Sequence, residues 1–271
     1  MNEFIYCDTP NLPSQEDIIA ACPKNGDKTR ELTYLPKDGK FFIKYGFTVT
    51  VGEANNQRYF YKKIHSQCGT TVKIPKIYRA FETRGRTYIV MEYIDIVSYA
   101  SDEERANAVA QIVSIEPPSG TALGPIGGGL VKHCFFMDNE APRRFSTFAV
   151  NYISFHALML QQVLQHTMKK GTVDFSGAKL CMYYSDMFWK NFPVDRQGQT
   201  WVVDFDHSGV LIQDLRSLVL DTTIRHPLPA AYRNKVPIDK SQNLKAMVRA
   251  WSGLRTSADC AAVSSALCVT L

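Results

Sequence analysis

Asp186, Asn191 and Asp204 carry the residue types and spacing of a phosphoryl-transfer centre, with the Asn five positions after the first Asp and the second Asp beyond the next expected strand. A carboxylate at the first position can take the proton of an attacking hydroxyl. The amide and the second carboxylate can hold a divalent cation against phosphate oxygens. Magnesium suits such a pair, because it favours an octahedral oxygen shell and takes only one or two carboxylates from the protein. Each half also has a bland reading: Asp-x4-Asn arises often by chance, and Asp204-Phe205-Asp206 can simply cap a strand. Asp206 reads as a hydrogen-bond partner of the following turn. Lys190, directly before Asn191, reads as a loop lysine and stays outside the set.

These residues need elements to present them. Pro193 to Gln199 has the composition of a hairpin turn, and Thr200 to Val203 reads as a strand that delivers Asp204 at its end. Upstream, Lys40 to Tyr45 reads as an apolar strand with Lys44 near its end. Glu53 opens a helical pattern that runs to His65, with Gln57, Phe60 and Ile64 falling on its face. A strand lysine paired to a helix glutamate is a way to set a cation on the α- and β-phosphates of a nucleotide. Taken in isolation, Lys44 and Glu53 read more simply as a solvated lysine and an acid favoured by a helix N-terminus. Arg86 to Ile94 has the pattern of a buried strand running into a linker.

The order lysine, glutamate, linker, Asp-x4-Asn, Asp resembles the aminoglycoside phosphotransferase and choline kinase-like group of small-molecule kinases, particularly its divergent fungal branch. The likeness rests on Phe41 to Gly46 with Glu53, Tyr88 to Ile94, Pro117 to Phe136, Tyr184 to Asn191 and Val203 to Gly209, within roughly residues 30 to 215. It implies an α+β, two-lobed protein-kinase-like fold: a small β-rich N-terminal lobe with one main helix and its linker over residues 1–94, and a mainly helical lobe over 95–271. It also implies ATP and Mg2+ as cofactors, with Asp186 as the base and Asn191 and Asp204 on the metal. Lys44 and Glu53 would align the phosphates, and main-chain atoms of Glu92 and Ile94 would hold adenine. Two departures stand out. Tyr184-Ser185 occupies the place where the family usually has His-Gly, and residues 36–40 hold a single glycine where a phosphate loop is expected. The competing expectation is therefore a degenerate kinase fold used as a binding module. Residues 216–271 carry no recognised motif.

Composition narrows the substrate and the setting. With 271 residues, 45% of them hydrophobic, the chain can bury a full core. It has no apolar run long enough to span a membrane and no secretory pattern, so an intracellular, cytoplasmic protein is expected. The seven cysteines show no C-x-x-C pair, which argues against zinc and for a reducing compartment. Residues 141–271 hold 15 Lys and Arg against 9 Asp and no Glu. A polycationic aminoglycoside would call for surplus carboxylates, so a neutral or anionic hydroxylated metabolite is the expected acceptor. The basic residues form no aromatic-interleaved cluster, so no nucleic acid is expected. Oligomeric state is left open.

Further elements follow from pattern: a capped helix at Ser14 to Ala21, strands at Leu32 to Leu35, Ile77 to Glu82 and Thr87 to Tyr93, and a capping-box helix from Ser101 ended by Pro117-Pro118. A long helix is expected over 147–168 and small helices over 244–271. The glycine-rich segment 120–129 reads as a flexible loop beside the cleft.

Overall fold

The computed structural model describes residues 2–5, 12–23, 30–34, 39–133, 179–221, 228–237, 241–245 and 247–248. The helix expected over 147–168, the core of the loop expected at 36–40 and every residue beyond 248 lie outside them.

Strand alternation decides what the first sheet does. Strands β1 (Asn2–Ile5), β2 (Arg30–Tyr34), β3 (Phe41–Gly46), β5 (Ile77–Thr83) and β6 (Arg86–Glu92) form one antiparallel sheet in the order β1-β5-β6-β3-β2. Successive side chains on a strand point to opposite faces. Phe41, Ile43 and Tyr45 of β3, with Tyr88 and Val90 of β6, pack against Ile18 of helix α1 (Gln15–Ala21). Ile89 and Met91, on the other face, cluster with Ala54 of helix α2 (Val51–Ser66). Lys44 lies between Ile43 and Tyr45, so the same alternation turns it toward α2.

Helix α2 starts at Thr50, whose hydroxyl accepts the Glu53 amide proton at 3.1 Å. All four residues expected on one face, Glu53, Gln57, Phe60 and Ile64, are buried. Strand β4 (Val72–Lys73) follows and joins β7 (Ile96–Tyr99), β9 (Pro193–Asp195) and β10 (Thr200–Trp201) in a second sheet of order β4-β10-β9-β7. The turn between β9 and β10 is held by Asp195, whose carboxylate accepts from the Gln197 and Gln199 amides and from Trp201 Nε1. The strand expected over 200–203 is shorter than its pattern: Val202 pairs by its amide with Lys73, and Val203 with Asn191.

Helix α3 (Asp102–Val113) carries the expected capping box, with Ser101 and Glu104 satisfying each other's main-chain amides. Its Ala106, Val109, Ile112 and Val113 enter the largest apolar cluster together with Phe60, Tyr184, Phe192 and Phe205. The Ser101 hydroxyl and amide hold the Glu104 carboxyl below the usual carboxylate range. Its contribution to stability is thus present above the unfolded pKa of about 4.3 and is lost as pH falls through the lowered folded value. Ser101→Ala should cost about 1 kcal/mol at neutral pH. In urea melts the gap between variant and wild type should narrow in acid.

Strands β8 (Leu180–Tyr184) and β11 (Ser208–Ile212) pair antiparallel, and α4 (Gln213–Asp221) and α5 (Ala230–Arg233) follow. The glycine-rich segment, expected to be flexible, is fastened along its length. Gly124 and Val210 exchange two main-chain hydrogen bonds of 2.8 and 2.9 Å, and buried Asn56 of α2 accepts from the Ile126 amide while donating to Ser208 O. Gly209 has φ +143°, and a Cβ there would lie 2.4 Å from Gly124 O. Glycine is required because two backbones meet, and Gly209→Ala should cost about 1–3 kcal/mol in a thermal melt. Among the described residues no helix is long and apolar enough to cross a membrane.

Candidate active site

Glu53 stands at the third position of α2, and its side chain turns to β3 instead of back to the helix cap. Lys44 Nζ lies 2.5 Å from Glu53 Oε1 and 2.8 Å from Asp204 Oδ1. Lysine and glutamate are almost wholly buried, whereas the Asp204 side chain is 38% exposed. Burial alone would lower the Lys44 pKa, but the two carboxylates outweigh it and hold the ammonium charged well above its ordinary range. Burial likewise works against ionisation of Asp204, and Lys44 more than offsets it, leaving that carboxyl below its usual range. Full burial pushes Glu53 upward against the opposing pull of Lys44. The direct contact with a permanently charged ammonium keeps the pair ionic. Glu53 Oε2 is buried with no hydrogen-bond partner.

Asp204 itself has left-handed backbone angles, φ 61° and ψ 72°. Such a conformation costs a non-glycine residue on the order of 1–3 kcal/mol and persists only where its surroundings fix it. Here they do. The residue before it, Val203, donates its amide to Asn191 O at 3.0 Å and accepts the Tyr184 hydroxyl at 2.6 Å. Tyr184 is fully buried among Phe192 and Phe205, with ring centroids 6.0 and 5.5 Å away. Burial, reinforced by the charges of Asp204 and Asp186, pushes its phenol well above the ordinary range, so it remains a neutral donor. Tyr184 therefore fastens the loop around Asp186 to the segment bearing Asp204.

Asp186 accepts the Phe188 amide on Oδ1 at 3.2 Å, and its carbonyl accepts Asn191 Nδ2 at 3.1 Å. That bond engages the Asn191 nitrogen and leaves its oxygen as an acceptor. The loop is also braced from α3, where buried Arg105 donates to Met187 O. Asp206, expected to hydrogen-bond the following turn, pairs its carboxylate with Lys132 at 2.6 Å and has His207 Nε2 only at 4.0 Å; nothing in the local sequence links Asp206 to a lysine 74 positions away.

Of the seven site residues expected from the sequence, Lys44, Glu53, Glu92, Ile94, Asn191 and Asp204 line one cavity of about 370 Å³, walled also by Phe42, Gln57 and Val203. Asp186 is not part of its lining and joins it through Asn191 and Tyr184. In the linker, the Glu92 amide donates to Lys76 O and the Ile94 carbonyl accepts from the Ile96 amide. The Ile94 N–H has no acceptor among the described residues. Tyr99 and Phe188 also line the cavity and went unassigned in the sequence; so does Lys190, which was read as a loop lysine.

Among the described residues no group of three or more His, Cys, Asp or Glu side chains is arranged to hold a metal. A centre made of one amide oxygen and one carboxylate, completed by water and phosphate, is of the kind that magnesium accepts. The Asn191 oxygen, the Asp204 carboxylate and the unpartnered Glu53 oxygen, on residues that line one cavity, fit that donor chemistry.

The class of protein is set by the fold. A crystal structure from Haemophilus somnus 129PT, described as a candidate fructosamine-3-kinase, superposes with a TM-score of 0.52 at 12% identity, over 84% of this chain and 79% of that one. The chain thus has the α+β protein-kinase-like fold. A spectinomycin phosphotransferase bound to ADP and spectinomycin is matched at 12% identity and TM-score 0.47, over 86% of this chain and 78% of that one. The choline kinase of Streptococcus pneumoniae is matched at 13% identity and TM-score 0.39, over 86% of both chains. No protein-family model and no curated protein sequence matches the chain.

Proposed function

We propose that the protein is an ATP- and Mg2+-dependent phosphotransferase that moves a terminal phosphoryl group to a hydroxyl of a small molecule. The observation that carries this is the contact of Lys44 with both Glu53 and Asp204, in a cavity shared with Asn191 and the 92–94 linker. A fold in common with a candidate fructosamine-3-kinase supports a small acceptor. Residues 1–94 would form the nucleotide lobe and residues 95–271 the lobe that bears the catalytic loop and the acceptor seat.

In this reading the Ile94 N–H and the neighbouring main chain hold the adenine edge, and Phe42 and Met91 cover its faces. Lys44, fixed in direction by Glu53, donates to the α- and β-phosphate oxygens. Asn191 and Asp204 hold Mg2+, which when bound supplies neutralisation of the charge that builds on the phosphates. Asp186 orients the acceptor hydroxyl and takes its proton as the acceptor oxygen bonds to the terminal phosphorus and the bond from that phosphorus to the bridging oxygen breaks. Rate enhancement comes from positioning and electrostatics, because the chemistry needs no covalent intermediate. Tyr184 acts on none of the reacting atoms and keeps the two halves of the site in register.

The test is a thermal shift with ATP and with ATP plus Mg2+. A ligand that binds only the folded state at a hundred times its Kd adds about 2.7 kcal/mol, which should raise the midpoint by several degrees. An unchanged midpoint at saturating ATP and Mg2+ would overturn the proposal in favour of a binding module.

A further inference from the structure

We infer that the acceptor is an anionic hydroxyl compound with an aromatic or flat apolar face, seated on Trp189 and Tyr99 with its negative group toward Lys190. The inference presupposes the phosphotransfer proposed above and names the acceptor class of the same site.

The seat is an exposed aromatic pair. Trp189 and Tyr99 remain 43% and 40% exposed although they are large and apolar. They meet edge to face, with ring centroids 4.7 Å apart at 87°, so each restrains the other. Exposed rings that pack on each other offer contact area at little entropic cost, and large aromatics left open mark binding surfaces; Trp189 adjoins the cavity through Tyr99. Trp189 lies three residues after Asp186, on the short helical turn Trp189–Asn191 that ends at the proposed metal ligand. The aromatic pair is therefore tied to the atoms where transfer would occur, and Tyr99 itself lines the cavity.

Charge selects the sign of the ligand. Five charged side chains line the cavity: Lys44, Glu53, Glu92, Lys190 and Asp204. Lys44 engages both Glu53 and Asp204, and Glu92 Oε2 accepts the Lys76 amide at 3.1 Å. Lys190 is left. Its ammonium lies 5.3 Å from the Trp189 ring centroid and 6.0 Å from that of Phe188, and it makes no ion pair among the described residues. The lysine is exposed to solvent, and the two rings beside it supply no counter-charge. The Asp186 carboxylate accepts the Phe188 amide and is reserved for the proton of the acceptor hydroxyl. A cationic acceptor brought to the same rings would meet Lys190 at close range, whereas a carboxylate or phosphate on the acceptor would complete it. The excess of basic residues over 141–271 acts in the same direction at long range.

The experiment uses three para-substituted benzyl alcohols that share ring and hydroxyl and differ in charge: the carboxylate, the hydroxymethyl compound and the aminomethyl compound. Binding of each to the full-length protein with ADP and Mg2+ is measured by titration calorimetry, which does not require that any of them be turned over. Wild type should bind the carboxylate at least about tenfold more tightly than the amine, a gap of about 1.4 kcal/mol, with the neutral compound between them. Lys190→Glu should invert that order, and Trp189→Ala should weaken all three while preserving it. Equal or stronger binding of the amine by wild type, an order unchanged in Lys190→Glu, or no binding of any probe at millimolar concentration would each overturn the inference. If ADP and Mg2+ themselves fail to bind, the phosphotransferase proposal falls instead, which separates the two failures.

Discussion

Replacing Asp186 with alanine is expected to lower kcat for phosphoryl transfer by about 10²–10⁴-fold, the usual contribution of a positioned general base. Nucleotide affinity should stay close to that of wild type, because Asp186 does not line the cavity that holds Lys44, Asn191 and Asp204. The fold should tolerate the change. The side chain is only partly buried and among the described residues its carboxylate accepts from the Phe188 amide alone, whereas the bond that orients Asn191 goes to the Asp186 carbonyl and survives the substitution. Single-turnover transfer followed beside ATP binding will check both halves. Undiminished transfer would show that another group takes the proton.

Lys44→Met is expected to damage both stability and nucleotide binding. The substitution leaves Glu53 buried with no counter-charge, and breaking one side of a buried pair typically costs about 3–5 kcal/mol. Asp204, being more exposed, can recover water and should suffer less. Denaturant unfolding would read the loss. The double variant Lys44→Met with Glu53→Leu should regain most of it, because an apolar pair of similar volume needs no charge compensation. Neither variant should show Mg2+-dependent stabilisation by ATP. A single variant as stable as wild type would mean that the Lys44 contacts contribute little to the fold.

The local elements around the site were legible because their signals are periodic. The face of α2 bearing Glu53, Gln57, Phe60 and Ile64, the cap at Ser14, the capping box at Ser101, and the strands holding Lys44 and running into Glu92 all appear as the sequence leads one to expect. The glycine-rich segment reads differently in three dimensions. Glycine gives no local clue whether it marks freedom or contact: Gly209 is needed because the Gly124 backbone lies against it, and Gly124 because its φ is +110° with Gly129 O close by. Asp206 found Lys132, and Tyr184 found the Val203 carbonyl, through pairings that no local window contains.

The amino-acid sequence alone determined the types and order of the polar residues, the faces on which the helices and strands bury themselves, and from these the kinase-like fold class. Tertiary structure alone decided that Lys44 reaches Asp204 across 160 positions, that Tyr184 joins the two halves of the site, and that Lys190 stands beside two rings with no carboxylate partner among the described residues. The reason is physical. Alternation and helical period depend on neighbours a few residues apart, whereas the placing of charges against one another depends on sheet register and on which buried surfaces meet.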